Sequence, residues 1–371
     1  MLIIEDYEIH RLTVPLGRVI GDNNCNYNVI NVLAIALKTN QGQIGWGYGE
    51  AVWQGTFKNK AWYIRELQNK IHLDDAFNNN WWLKLKGKNP FELKQLRSSH
   101  VTGFPEIDAA VRLALWDLMS QEQGVPLYKL LNPNAQKNEA LAYGSILDFP
   151  LKDQEALDIT KKFIDDGFKI IKVKVGADDV NTDIKRLKLI QSFVGSEVQI
   201  TADANEAWDW QTALDRMEAY EKNGINLRYL EDPLNSTDIK GLKELTQRSP
   251  IPIIGHDYIN NYEDLRKMVD MGGLHGIRTG KDIDYALKCI KLAEEYNIQV
   301  YLGNSMFEVN AHLALAFNQV NRMEFSYLQT NDMIEQPIQF RNGFAQAPLQ
   351  YGHGLHPKSS SLVEFSKEVL Q

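Results

Sequence analysis

The chain has 371 residues, 44% hydrophobic and 24% charged, which is ordinary for a soluble globular protein and enough for a large barrel or two domains. Its net charge of -8 argues against a nucleic-acid binder, which needs a basic patch or stripe. No apolar run is long enough to span a membrane, and Glu5 and Asp6 come too soon for a signal peptide. The two distant cysteines, Cys25 and Cys289, read as reduced thiols of a cytosolic protein.

Residues 1 to about 55 read as strands and turns. Val29 to Leu37 is a strand-like run, Thr39-Asn40-Gln41-Gly42 a turn, and Ile44 to Glu50 follows. Residues 60–132 read as helical. The clearest helix runs from Ile107 to Gln121, with Ile107, Ala110, Val111, Ala114, Leu115 and Leu118 on one face. Gly124 closes it and Pro126 follows.

From about residue 140 short β-branched runs alternate with helical stretches. The strands are Ile170 to Val175, Val198 to Asp203, Leu227 to Glu231 and Ile251 to Gly255. Further candidates are His275 to Arg278, Gln299 to Leu302 and Glu324 to Tyr327. Lys174, Asp203, Glu231 and Asp257 follow one another at 29, 28 and 26 residues, near the ~31 residues per unit of a (β/α)8 barrel.

These polar residues sit at successive strand ends, which in a parallel barrel share one mouth. A single charge past a strand is ordinarily solvated loop, and Glu231-Asp232-Pro233 alone would be read as a turn. Three carboxylates on consecutive strand ends repel one another without a cation, and an all-oxygen site suits Mg²⁺. Lys172 and Lys174, two apart on a strand, face the same side. Desolvation and a nearby Mg²⁺ would lower a lysine pKa toward that of a base near neutral pH.

The motifs Lys172-Val-Lys174, Thr201-Ala-Asp203-Ala-Asn205, Leu230-Glu231-Asp232-Pro233 and Gly303-Asn304-Ser305-Met306-Phe307-Glu308 resemble the enolase superfamily, closest to its mandelate racemase and muconate lactonizing branch. The helix from Ile107 through Trp116-Asp117, followed by Gly124 to Leu131, is similar to that family's capping-domain signature. The resemblance covers nearly the whole chain.

It implies an α/β fold, a modified (β/α)7β TIM-like barrel with an α+β capping domain. The cap would span 1–132, completed by the tail 330–371, and the barrel 133–329. One Mg²⁺ per site would be held by Asp203, Glu231 and Asp257. Lys174 would be the base, and Lys172 would hold the substrate carboxylate and depress the pKa of Lys174 by like charge. Glu324 would help stabilise an enediolate, for which this superfamily is a documented example of a lysine or histidine base working with Mg²⁺. Barrels of this family are often symmetric homo-oligomers. The expected partner is a small-molecule carboxylate, with no nucleic acid and no membrane.

The sequence departs from the family at two places. Gly255-His256-Asp257-Tyr258 stands where relatives carry Gly-Glu-Asn or Ala-Asp-Glu-Ser, so the third ligand is Asp257 or His256, and oxygen favours Asp257. On the opposite face, Arg278 and Asn304 stand where racemase-like members place an aspartate and a histidine, and lactonizing-like members place a lysine at the position of Arg278. Arginine stays charged and cannot be a base, and Lys281 is expected to point elsewhere. Arg278 and Asn304 then read as contacts to an anionic or hydroxyl group, or as structural residues.

The loop Gly17 to Tyr27, with Asp22, Asn23, Asn24 and Asn26, and the side chains of Tyr48, Trp53, Gln54, Trp208 and Trp210 are candidates to cover the mouth, with Asn205 beneath. These features favour an acid-sugar dehydratase giving a 2-keto-3-deoxy acid. The alternatives are a cycloisomerase or a racemase or epimerase of the same superfamily, and a non-catalytic binding protein that kept the fold.

Overall fold

A computed structural model describes residues 1–58, 60, 63–64, 67–68, 70, 80–95, 105–259, 261–280, 282–328 and 332–370. Two long strands, β1 (Ile4–Gly21) and β2 (Cys25–Thr39), form a hairpin, and β3 (Ile44–Phe57) follows across the Thr39–Gly42 turn. The expected Gly17 to Tyr27 loop is mostly ladder. Ile20 pairs with Tyr27 and Gly21 with Asn26, leaving Asp22 to Asn24 as the turn.

The helix Pro105–Glu122 lies on β2 and β3. Gly47 allows this approach, because a Cβ there would stand 1.8 Å from the carbonyl oxygen of Ala110. On this side Leu33, Ile35 and Leu37 pack with Ile107, Ala110, Val111, Ala114, Leu115 and Leu118, the face read from the helical spacing. The strand Ser366–Leu370 pairs with β1 and joins the tail to this sheet. Asp117 pins the same junction, accepting from the backbone N–H of Trp46 at 2.9 Å and of His353 at 2.8 Å.

The barrel has eight parallel strands: β4 (Glu139–Leu147), β5 (Ile170–Lys174), β6 (Gln199–Asp203), β7 (Leu227–Glu231), β8 (Ile253–Gly255), β9 (Gly276–Thr279), β10 (Gln299–Leu302) and β11 (Val320–Phe325). Pairing of β11 with β4, Glu324 opposite Tyr143, closes it. A helix follows each of the first seven strands.

Asp179, Asp209, Asp238, Asn261 and Asp282 cap five of these helices through side-chain oxygens, each worth about 1 kcal/mol. The sequence expectation placed the last strand at Glu324 to Tyr327. It begins four residues earlier, at Val320, because Val320, Arg322 and Met323 pair with β10. The strand β4 has no long β-branched run and went unrecognised in the sequence. Among the described residues no helix is long and apolar enough to cross a membrane.

Candidate active site at the barrel mouth

The register of the sheet sets the site. Lys174 stands level with Asp203, and Asp203 with Glu231. Alternation along β5 sends Lys172 and Lys174 into the lumen, leaving Ile171 and Val173 to pack in the apolar core. Lys172 is 1% exposed and donates to Glu231 Oε1 at 2.9 Å and Glu324 Oε2 at 3.0 Å. Lys174 donates to Asp203 Oδ2 and Asn205 Oδ1, both at 2.7 Å.

On the other side Arg278 donates to the Tyr143 hydroxyl at 2.7 Å and to Glu324, and its Nε lies 2.8 Å from Glu231 Oε1. Asn304, exposed at the rim, donates to Glu324 Oε1 at 3.1 Å. Glu324 is therefore shared by Lys172, Arg278, Asn304 and Tyr143. The loops past β6 and β7 are strained, with Asn205 at φ 46° and Asp232 at φ 43°.

Burial acts on every charge here, and pairing decides the outcome. Burial raises Glu231 well above the usual carboxylate range; Arg278 and Lys172 oppose the rise, and Asp203 and Glu324 add to it. Burial and the charge of Asp203 do the same to Asp232. Asp203 ends below the ordinary value, because Lys174 and Lys172 outweigh its burial.

Lys174 departs from the sequence expectation. Burial and Lys172 pull its pKa down, but Asp203, Asp22 and Glu324 together more than offset them and the ammonium is held above its usual value. The expected depression requires that Asp203 be engaged elsewhere.

The donor set offers such an engagement. Asp203, Glu231 and Asp232 each present an oxygen, all within 4.8 Å of one another. Glu231 Oε2 and Asp232 Oδ1 are buried without a hydrogen-bond partner. A compact oxygen set with orphaned lone pairs fits a hard cation such as Mg²⁺. Asp257 lies beside this tight group rather than in it. Its backbone N–H is 3.4 Å from Asp232 Oδ2, and its carboxylate is 3.8 Å from Arg278 Nε. His256 is buried with Nε2 donating to the Leu234 carbonyl at 2.7 Å, and burial lowers its pKa.

The remaining expected residues divide. Asp22 is buried in the hairpin turn, where Oδ1 accepts from the N–H of Asn24 and Cys25, and its charge is felt by Lys174. Asn24 donates to the Asn205 carbonyl at 2.8 Å, so the turn is docked on the mouth. Tyr48 is buried and donates to the Leu355 carbonyl at 2.6 Å. The guanidinium of Arg216 stands 5.6 Å from the Trp208 ring, and that of Arg248 5.2 Å from the Trp210 ring, which places both indoles against basic side chains. The side chains of Trp53 and Gln54, and all of Lys281, lie outside the described residues, as does part of the expected helical stretch 60–132.

Sequence reasoning missed Tyr143 and Asp148, both on or just past the unrecognised β4. It dismissed Asp232 as a turn residue and passed over Tyr258, whose hydroxyl accepts from Asn205 Nδ2 at 2.7 Å.

Residues 155–361 match the protein family described as Enolase C-terminal domain-like. The chain is 29% identical over 310 residues to the L-Ala-D/L-Glu epimerase of Clostridium acetobutylicum, covering 81% of this chain and 82% of that one. It is 28% identical over 353 residues to the arabinonate dehydratase of Saccharolobus solfataricus, covering 91% of each. The L-talarate dehydratase of Polaromonas sp. JS666, crystallised with Mg and L-glucarate, superposes with a TM-score of 0.82 at 20% identity, covering 100% of this chain and 99% of that one.

Proposed function

The chain belongs to the Enolase C-terminal domain-like family, in the mandelate racemase and muconate lactonizing branch of the enolase superfamily, and from that membership we propose that it dehydrates a sugar-acid carboxylate. One Mg²⁺ per site, held by Asp203, Glu231 and a third carboxylate from Asp257 or Asp232, would supply positive charge for the substrate carboxylate. With Asp203 engaged elsewhere, Lys174 releases its ammonium proton to solvent, and the neutral amine takes the α-proton at Nζ. Lys172, kept charged by Glu231 and Glu324 despite its burial and the charge of Arg278, donates to the substrate carboxylate.

The electron pair left by the C–H bond forms the double bond as the β-hydroxyl departs with its own pair, protonated by Lys174. The resulting enol tautomerises to a 2-keto-3-deoxy acid. The cap, residues 1–132 with 330–371, selects the substrate through its Asp22 turn. The buried free thiols of Cys25 and Cys289 suit the cytosol.

The observation that carries dehydration is the face opposite Lys174. Arg278 is permanently charged and Asn304 has no basic nitrogen, so neither returns a proton to the other side of the α-carbon. The epimerase relative favours a second reading, proton return with inversion. Incubation with sugar acids and with dipeptides in deuterated water separates the two. Dehydration gives a 2-keto acid. An inverted, α-deuterated isomer without any keto product would sink the dehydratase reading.

A further inference from the structure

Lys172 and Arg278 are 1% and 4% exposed, and they draw on the same acids. Both donate to Glu324 Oε2, Lys172 at 3.0 Å. Both also reach Glu231 Oε1, Lys172 at 2.9 Å and Arg278 through Nε at 2.8 Å. Glu231 belongs to the oxygen set that fits a cation, and the Asp257 carboxylate is 3.8 Å from Arg278 Nε. A buried guanidinium needs a full set of partners. Any turn of this one toward Glu231 and Asp257 would set it against a metal ion for the same oxygens.

Tyr143 fixes which way it turns. It stands opposite Glu324 in the sheet and is fully buried. Its hydroxyl donates to Glu324 Oε2 at 3.1 Å and accepts from Arg278 Nη1 at 2.7 Å. Among the described residues Nη1 has no other hydrogen bond. With Nη2 on Glu324, the Nη1–Nη2 edge of the planar fork is held at two points, by a carboxylate and a phenol that are themselves joined. Only Nε is left to Glu231. Burial raises the phenol well above its usual pKa, so it stays neutral and both donates and accepts. The ring centre lies 5.7 Å from Lys172 Nζ, a contact that needs the ring and not the hydroxyl.

We propose that Tyr143 is a positioning residue of the candidate metal site. Its hydroxyl anchors Arg278 on Glu324 and so keeps the guanidinium from claiming Glu231 and Asp257. This role rests on the proposed Mg²⁺ site and is exercised through Arg278. Without the hydroxyl, Nη1 becomes a buried donor with no partner, and turning toward the acids of the cation site relieves that cost.

The test is calorimetric titration of the intact protein with MgCl₂, without substrate, at a temperature where every protein compared is folded. The parent should bind one Mg²⁺ per chain. Tyr143→Phe keeps the ring beside Lys172 and should weaken Mg²⁺ binding by about tenfold at unchanged stoichiometry, the effect of one hydrogen bond to a charged group. Made on Arg278→Met, the same substitution should change the affinity by less than about twofold, because no guanidinium remains to be held. A role in packing alone would lower the thermal midpoint of Tyr143→Phe and leave its Mg²⁺ affinity at the parental level, which overturns the proposal. A tenfold loss repeated on Arg278→Met overturns it too, since Tyr143 would then act by another route. If Tyr143→Phe alone does not fold, the double variant decides. Removing both partners leaves no orphaned donor, so it should fold and bind Mg²⁺ as Arg278→Met does, and weaker binding counts against the proposal. A parent that binds no Mg²⁺ overturns the metal site itself, whereas a parent that binds it no better than Tyr143→Phe overturns only the role of Tyr143.

Discussion

The two faces of the barrel mouth are made by the same strand alternation and carry opposite chemistry. On the β5 face, two amines compete for carboxylates. Lys172 bridges Glu231 and Glu324 and lies 3.1 Å from Asp203 Oδ2, whereas Lys174 is held by Asp203 and Asn205, groups that a cation or a substrate could claim. On the β9–β10 face, a guanidinium and an amide converge on the same Glu324, and neither can take a proton. The strands supply position equally on both sides. On the proposed reading acid–base work falls to the β5 side, because a lysine ammonium can give up its proton and a guanidinium cannot.

The largest effect expected from this asymmetry is on Lys174. Lys174→Ala should lower α-proton exchange in deuterated water by about 10⁴-fold or more, beyond the usual range for one general base because no second base replaces it. Folding and cation binding should be retained. Exchange that survives Lys174→Ala and disappears in Asn304→Ala would reverse the assignment of the two faces.

The next effect is structural and belongs to the other face. Arg278 is buried against Glu231 and Glu324, with Asp257 near. Arg278→Met leaves those carboxylates without their counter-charge and should cost about 3–5 kcal/mol in the metal-free protein, read from urea denaturation midpoints. Mg²⁺ should restore part of the loss, since binding to the folded state alone stabilises it. A variant as stable as the parent without Mg²⁺ would show that Arg278 does not balance the cluster.

Asn304 should matter less. Asn304→Ala removes one donor to Glu324, and turnover should fall by about 10²-fold or less, as for a hydrogen-bonding group rather than a base. A loss equal to that of Lys174→Ala would give this face a catalytic weight that its chemistry does not explain.

Much of this arrangement was legible in the sequence, because parallel strands of regular spacing force their ends to one mouth. Lys172 and Arg278 both meet Glu231 and Glu324, and Lys174 meets Asp203, for that reason. What was illegible depended on loop geometry or weak strand signals. Asp232 joins Asp203 and Glu231 through a left-handed backbone turn that Glu-Asp-Pro does not announce. Tyr143 comes from a strand whose Ala, Gly and Ser residues give little β signal. The lowered Lys174 pKa expected from the sequence assumed Mg²⁺ beside it; what the sequence did not show is the 2.7 Å contact to Asp203, which helps hold the ammonium up while that carboxylate is free to pair.

The smallest expected effect extends the comparison to pH. Beside the lysine face, Asp148 lies just past β4, 4% exposed and 3.3 Å from Arg18 of the cap. Burial pushes its pKa up to about 6, with Asp22 adding to the rise and Arg18 and Lys174 opposing it. The folded value is above the ~3.9 of an unfolded aspartate. The stability it contributes is therefore present below pH ~4 and lost as pH rises through about 6. Asp148→Asn should make the protein about 2–3 kcal/mol more stable than the parent at pH 8, with the difference vanishing near pH 4. Thermal midpoints across that range provide the check. If Asp148→Asn is instead less stable at pH 8, the Arg18 pair outweighs the burial of the carboxylate. The lysine face would then be tied to the cap by an ion pair rather than strained by an unwelcome charge. Neither Arg278 nor Asn304 titrates in this range, so any pH dependence that Asp148→Asn removes belongs to the β4–β5 side of the mouth.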